Sequence, residues 1–193
     1  MVNRKVKITF NSPVILLYVS SCFFVTILGI ISKGNITEKF FMTYHSSLKN
    51  PLTYFRFLTH IFGHGDWEHF MGNASYLLLI GPMLEEKYGS KNILMIIGIT
   101  AIITGIVNYI FFWNVSLCGA SGIVFALILL ASFTDFKIGE IPLTFILIAI
   151  IFIGQQIYEG ITLKSDISYV THVVGGLTGA LVGYYLNTKS FKK

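Results

Sequence analysis

The sequence predicts an all-α polytopic membrane protein built as one six-helix bundle, and three observations predict it. Of its 193 residues 54% are hydrophobic and 12% charged, with a mean hydropathy of +0.72, too apolar for a domain that keeps a hydrated surface. The apolar residues gather in runs close to the roughly 20 that let a helix cross a bilayer with every backbone polar group satisfied internally. The connections are short except one, and no repeat or low-complexity stretch divides the chain, so residues 1–193 read as a single domain.

The predicted spans are 14–32, 69–84, 92–113, 118–133, 142–158 and 170–186. The first has a basic lead-in but no clear small-residue cleavage site, so it is expected to stay in the mature protein as a span. Residues 33–68 form the one long connection, holding Pro51 and three of the five histidines, His45, His60 and His64. Loops of this length are functional or disordered. The rings of Tyr54, Phe55, Phe57 and Trp67 favour an ordered loop lying in the membrane interface. The second span opens at His69 and carries Asn73 one turn later. The fourth follows Cys118-Gly119-Ala120 with Ser121 and Gly122, and the sixth holds His172 and a run of glycines.

Lys and Arg orient the bundle, because cytoplasmic flanks are enriched in them. With both termini inside, Arg4, Lys5, Lys7, Lys87, Lys91, Lys137, Lys189, Lys192 and Lys193 are cytoplasmic; Lys33, Lys39, Lys49, Arg56 and Lys164 are outside, nine against five. The net charge of +5 therefore reads as topology and contact with membrane lipids, with nothing to suggest nucleic acid. Cys22 and Cys118 fall inside predicted spans as ordinary packing residues, which supports neither a disulfide framework nor a cysteine metal site.

In this topology the second, fourth and sixth spans all enter from the outer side. His69, Asn73, Ser121 and His172 then lie at similar depth although about 100 residues of sequence separate the first from the last. A hydroxyl and an imidazole on different helices meet only if the backbones come close. Gly175, Gly176, Gly179 and Gly183 stand three, four, seven and eleven residues after His172 on one helical face, and Gly119, Ala120, Gly122 and Ala126 surround Ser121, a small-residue pairing that permits such approach. These glycines also have a plain reading as helix packing alone. Ser121 stands at a helix N-terminus, whose unpaired N–H groups, with Gly119 beside them, suit an oxyanion site. His69 and Asn73, four apart, share a face and can donate to the same oxyanion.

These motifs resemble those of the rhomboid intramembrane serine proteases. Gly119-Ala120-Ser121-Gly122 is similar to the family's GxSG, His172 with Gly175 and Gly179 to its HxxGxxxG, and His69 with Asn73 to its HxxxN. Phe55-Arg56 resembles its Trp-Arg pair, His60 and His64 its structural loop histidines, and Gly81, Glu85 and Gly89-Ser90 its turn after the second span. The resemblance covers residues 55–183. Phe125 stands where the family often has a Tyr stacked on the catalytic imidazole, and Thr171 where it has Ala.

The resemblance implies a rhomboid-like six-helix bundle and an intramembrane serine endopeptidase acting on transmembrane helices of other proteins. Ser121 would be its nucleophile and His172 its base; His69, Asn73, Ser121 and Gly119 would stabilise the oxyanion, and Phe125 would stack on the imidazole. It also implies a lateral gate at the fifth span, 142–158, and no cofactor. Gly122, Gly175, Gly179 and Gly183 serve helix packing, and Asp166 reads as a solvated loop charge.

HExxH is absent and no Asp or Lys lies within a span, which leaves serine and histidine among the known intramembrane protease chemistries. A loop metal site from His60, His64 and His69 is the alternative reading of those imidazoles, structural hydrogen bonding the simpler one. The alternative function is a catalytically silent rhomboid-like protein that binds or escorts transmembrane clients; a small transporter is a further rival. The expected location is a bacterial cytoplasmic membrane, with the active site opening outward through a polar depression.

Overall fold

The computed structural model describes residues 6–133, 140–162 and 169–190. Eight α-helices follow in order: α1 (Pro13–Ile31), α2 (Asn35–Phe40), α3 (Pro51–Thr59), α4 (Trp67–Tyr88), α5 (Ser90–Phe111), α6 (Ser121–Ser132), α7 (Leu143–Thr162) and α8 (Tyr169–Ser190), with a 3₁₀ turn at His60–Phe62. Among the described residues there is no β-strand, only an isolated bridge between Thr43 and Leu117. Asp166, and the cations Arg4, Lys5, Lys137, Lys164, Lys192 and Lys193 of the charge count, lie outside the described residues.

Each predicted span coincides with a helix. Helices α1, α5 and α7 are long and apolar enough to cross a bilayer. Helices α4 and α8 are as long, at 22 residues each, but more polar. Helix α6 departs from the expected 118–133: it has 12 residues and starts only at Ser121. The cause is local, since Gly119 takes φ +127, which no right-handed helix accommodates. Twelve residues rise about 18 Å, well short of a hydrocarbon core of about 30 Å. Helix α6 is instead the centre of the bundle, with Ile123, Ala126, Leu127 and Leu130 fully buried.

Two devices hold the helices in register. Helix α8 lies backbone to backbone on α6: a methyl group at Gly175 would run into the Gly122 carbonyl, and one at Gly179 into that of Ala126. At the other end of the bundle, the carboxylate of Glu85, 4% exposed, accepts the Val14 N–H on Oε1 and the Ile15 N–H on Oε2, both at 3.0 Å, while Ser90 Oγ donates to it at 2.6 Å. Glu85 thus caps the N-terminus of α1 from the last turns of α4. Ser12, the residue before α1, makes no side-chain cap of its own. A negative charge at a helix N-terminus is favoured by the helix dipole and by the unpaired N–H groups there.

The loop between α1 and α4 is ordered, as its aromatics predict. Asn50 caps α3 by accepting the Leu52 N–H at 3.0 Å, with Pro51 in the first turn. Helix α3 leaves Tyr54, Phe55 and Leu58 exposed and buries Arg56 beneath, where the guanidinium donates to Tyr44 Oη and, at 3.0 Å, to Ser46 Oγ. Thr43 and Leu117 exchange backbone hydrogen bonds of 2.9 and 2.8 Å. The loop is thereby tied to the segment that leads into Ser121.

Candidate active site

Asp66 starts the site by starting α4. Its carboxylate accepts the His69 N–H at 2.7 Å, a cap of about 1 kcal/mol that fixes the phase at which His69 and Asn73 follow. Asn73 is 8% exposed, and its Nδ2 is a buried donor without a hydrogen-bond partner. It borders a narrow gap together with His64 and Ala120. The His69 ring lies against the Gly119 Cα: a methyl there would meet His69 Nε2 at 2.8 Å and Ser121 Oγ at 3.8 Å. Glycine is therefore required at 119 both for its positive φ and for the room it leaves.

The two loop histidines hold the turn that carries Ser121. The His60 carbonyl accepts the Gly119 N–H at 3.0 Å, and His64 Nε2 accepts the Ala120 N–H at 3.4 Å. His64 Nδ1 faces the Phe62 carbonyl at 3.2 Å, an acceptor only, so Nδ1 bears the proton. His60 donates from Nδ1 to the Arg56 carbonyl at 3.1 Å and turns Nε2 to Thr104 Oγ1 at 3.3 Å. Burial pushes both imidazoles down to about 4, so both are neutral at pH 7. Their nitrogens are engaged in these hydrogen bonds, and among the described residues no three His, Cys, Asp or Glu side chains form a group that could hold a metal. The Gly119 N–H, expected among the oxyanion donors, is taken up by His60. The first-turn N–H groups of α6, beginning with that of Ser121, have no acceptor within the helix.

Ser121 and His172 come together. Ser121 Oγ lies 2.7 Å from His172 Nε2, made possible by the glycine face that draws α8 onto α6. The Phe125 ring stacks on the imidazole with centroids 4.9 Å apart and planes 8° from parallel. Phe152 of α7 meets Phe125 edge-on at 4.9 Å. Gln156, one turn further along α7, places Oε1 2.8 Å from His172 Nδ1. Gln156 is not among the residues that the sequence motifs single out; its one signal there is a glutamine pair, Gln155-Gln156, inside an otherwise apolar run. His45 takes no part in this cluster and stacks between Tyr109 and Trp113.

Ser121 Oγ thus lies within hydrogen-bond reach of an imidazole whose other nitrogen faces Gln156. Beyond His64 a cavity of about 680 Å³ opens between the end of α1 and the loop, lined by polar groups that include Lys33, His45, Asn114 and Ser116. Its wall reaches His64, one hydrogen bond from Ala120.

A profile of the rhomboid domain matches residues 51–189, which contain every residue of this cluster. The chain belongs to the rhomboid family. This rhomboid is 24% identical over 149 residues to the rhomboid-like protein 11, chloroplastic, of Arabidopsis thaliana, an alignment that takes in 69% of this chain and 53% of that protein. The chain therefore spans about half the length of the curated relative it matches. Its apolar helices and rhomboid domain make it an integral membrane protein.

Proposed function

We propose that this rhomboid is an intramembrane serine endopeptidase that hydrolyses peptide bonds in or near transmembrane helices of other membrane proteins. The observation that carries the reading is the 2.7 Å approach of Ser121 Oγ to His172 Nε2 across the α6–α8 seam. In the reaction, His172 takes the Ser121 proton as Oγ attacks the substrate carbonyl, then returns it to the leaving amine; water resolves the acyl-enzyme by the same route. His69, the Ser121 N–H and the unpartnered Nδ2 of Asn73 stabilise the oxyanion, and removal of one such donor costs on the order of 10²-fold in rate. Phe125 keeps the imidazole plane.

The bundle reads as six membrane-embedded helices, α1, α4, α5, α6, α7 and α8, the short α6 enclosed by the others, with both termini cytoplasmic in a bacterial membrane and the site near the outer surface. Helix α7, only lightly buried against its neighbours, is the side at which a substrate helix enters. The polar cavity beside His64 is the side from which water arrives.

The test is cleavage of a model transmembrane substrate by the purified protein in liposomes, with Ser121→Ala and His172→Ala alongside. Cleavage by the wild type and loss of at least about 10³-fold in both variants is expected. Cleavage that survives Ser121→Ala contradicts the proposal, and client binding without cleavage, unchanged by Ser121→Ala, favours the silent escort.

A further inference from the structure

Three features of the molecule lie outside the chemistry of Ser121 and His172 themselves. Among the described residues the polar cavity beside His64 has one buried, unpartnered side-chain atom on its wall, Thr37 Oγ1, and no set of them converging on a ligand, and the capping carboxylate Glu85 has all its work in holding helix ends. The third is Gln156.

The His172 imidazole is held on three sides: by Ser121 at Nε2, by the Phe125 face, and by Gln156 Oε1 at 2.8 Å from Nδ1. Gln156 is 4% exposed, and its neighbours along α7 and α8, Ile157, Gly160 and Val173, line an apolar groove with it. An amide oxygen accepts and does not donate, so a hydrogen bond from Nδ1 to Oε1 places the imidazole proton on Nδ1. Nε2 is then left with its lone pair toward the Ser121 hydroxyl. That is the only neutral tautomer in which the ring can take the serine proton. The opposite end of the amide would donate to Nδ1, move the ring proton to Nε2 and remove the base.

We infer that Gln156 is a positioning residue that completes a Ser121–His172–Gln156 hydrogen-bonded chain by fixing the imidazole tautomer, the place an acidic residue occupies in a soluble serine protease. The inference rests on the proposed dyad. An amide suits this depth, since an ionised carboxylate among apolar side chains carries a large desolvation cost while an amide oxygen orients the ring without one. Phe152 stands four residues before Gln156 on the same face of α7 and braces Phe125. The orientation of a base on α8 thus depends on α7 being docked, and a substrate helix that displaced α7 would loosen the base as it entered.

Two variants of the full-length protein in nanodiscs test this, each folded by size-exclusion profile and thermal melt. Gln156→Met keeps the length and removes the acceptor; Gln156→Glu, held as the neutral acid by that same desolvation cost, keeps a carbonyl acceptor at the same reach. Gln156→Met should lower kcat about 10- to 100-fold with KM within about twofold, less than the ~10⁴-fold that follows a wrong tautomer in a Ser-His-Asp triad, and Gln156→Glu should recover most of it. Wild-type kcat in Gln156→Met, or equal losses in both variants, would overturn the role. Independently of turnover, ¹⁵N-histidine spectra of the wild type should show His172 protonated at Nδ1; protonation at Nε2 in the resting protein overturns it as well. Failure of the wild type to cleave, or cleavage by Ser121→Ala, removes the dyad instead, and the spectrum still reads the Gln156 contact by itself.

Discussion

At the scale of single residues, two glycines on the α6–α8 seam have different reasons to be glycine. A methyl group at Gly179 collides with the Ala126 carbonyl, a backbone atom that cannot swing away, whereas at Gly122 the nearest atoms are Thr104 Cγ2 at 3.5 Å and the Thr171 carbonyl at 4.0 Å, ordinary contacts. Gly179→Ala should therefore push α8 off α6, cost on the order of 1–3 kcal/mol of overpacking and abolish turnover, since Ser121 and His172 sit on opposite sides of that seam. Gly122→Ala should melt within a few degrees of the wild type. Thermal unfolding in detergent, with activity measured on the same samples, distinguishes the two; equal tolerance at both positions contradicts the packing described. The glycine stripe was legible in the sequence because a helical offset of three, four, seven and eleven is a geometric statement. The difference between Gly122 and Gly179 was not legible, because it depends on which atoms of the facing helix lie opposite.

At the scale of elements, the fold depends on helix ends as much as on apolar faces. Glu85 satisfies two N–H groups of α1 and a hydroxyl at the start of α5, all from the end of α4, so Glu85→Ala leaves buried donors unpaired in three helices' junction. Charge-assisted hydrogen bonds contribute about 1.5–3 kcal/mol each, and loss of the carboxylate should lower stability by several kcal/mol. Glu85→Gln, which keeps one acceptor oxygen, should cost clearly less. Equal melting of Glu85→Ala and the wild type would contradict the cap. Helices α1, α5 and α7 are readable in the sequence, since runs of about 20 apolar residues have few other structural uses. Hydropathy predicts α6 too long because it runs through residues 118–120 without a break. The turn at Gly119 is a matter of backbone dihedral, and its glycine has a packing reading in the sequence as well. Gln156 escaped notice for a related cause: which helix its side chain faces follows from tertiary packing.

For the molecule as a whole, the first loop is the keystone that shapes the turn before Ser121. His60 and His64 are neutral in the folded protein, with values near 4 against an ordinary 6.5, so the unfolded chain binds more protons between those limits. Stability should therefore be full above about pH 6.5 and fall progressively as pH drops toward 4. Protonation of His64 also removes the lone pair that receives the Ala120 N–H, so activity should fall with it. A melting midpoint in detergent that drops between pH 7.5 and pH 5, less steeply in His64→Gln, is the expected result; an unchanged midpoint contradicts it. The meeting of loop, α4, α6 and α8 at Ser121 rests finally on one chemical claim, that this serine is activated. Mass spectrometry of the membrane-embedded protein treated with an alkyl fluorophosphonate tests it most directly. A covalent adduct on Ser121 that is lost in His172→Ala is expected. No adduct on Ser121, or an adduct undiminished in His172→Ala, would contradict it.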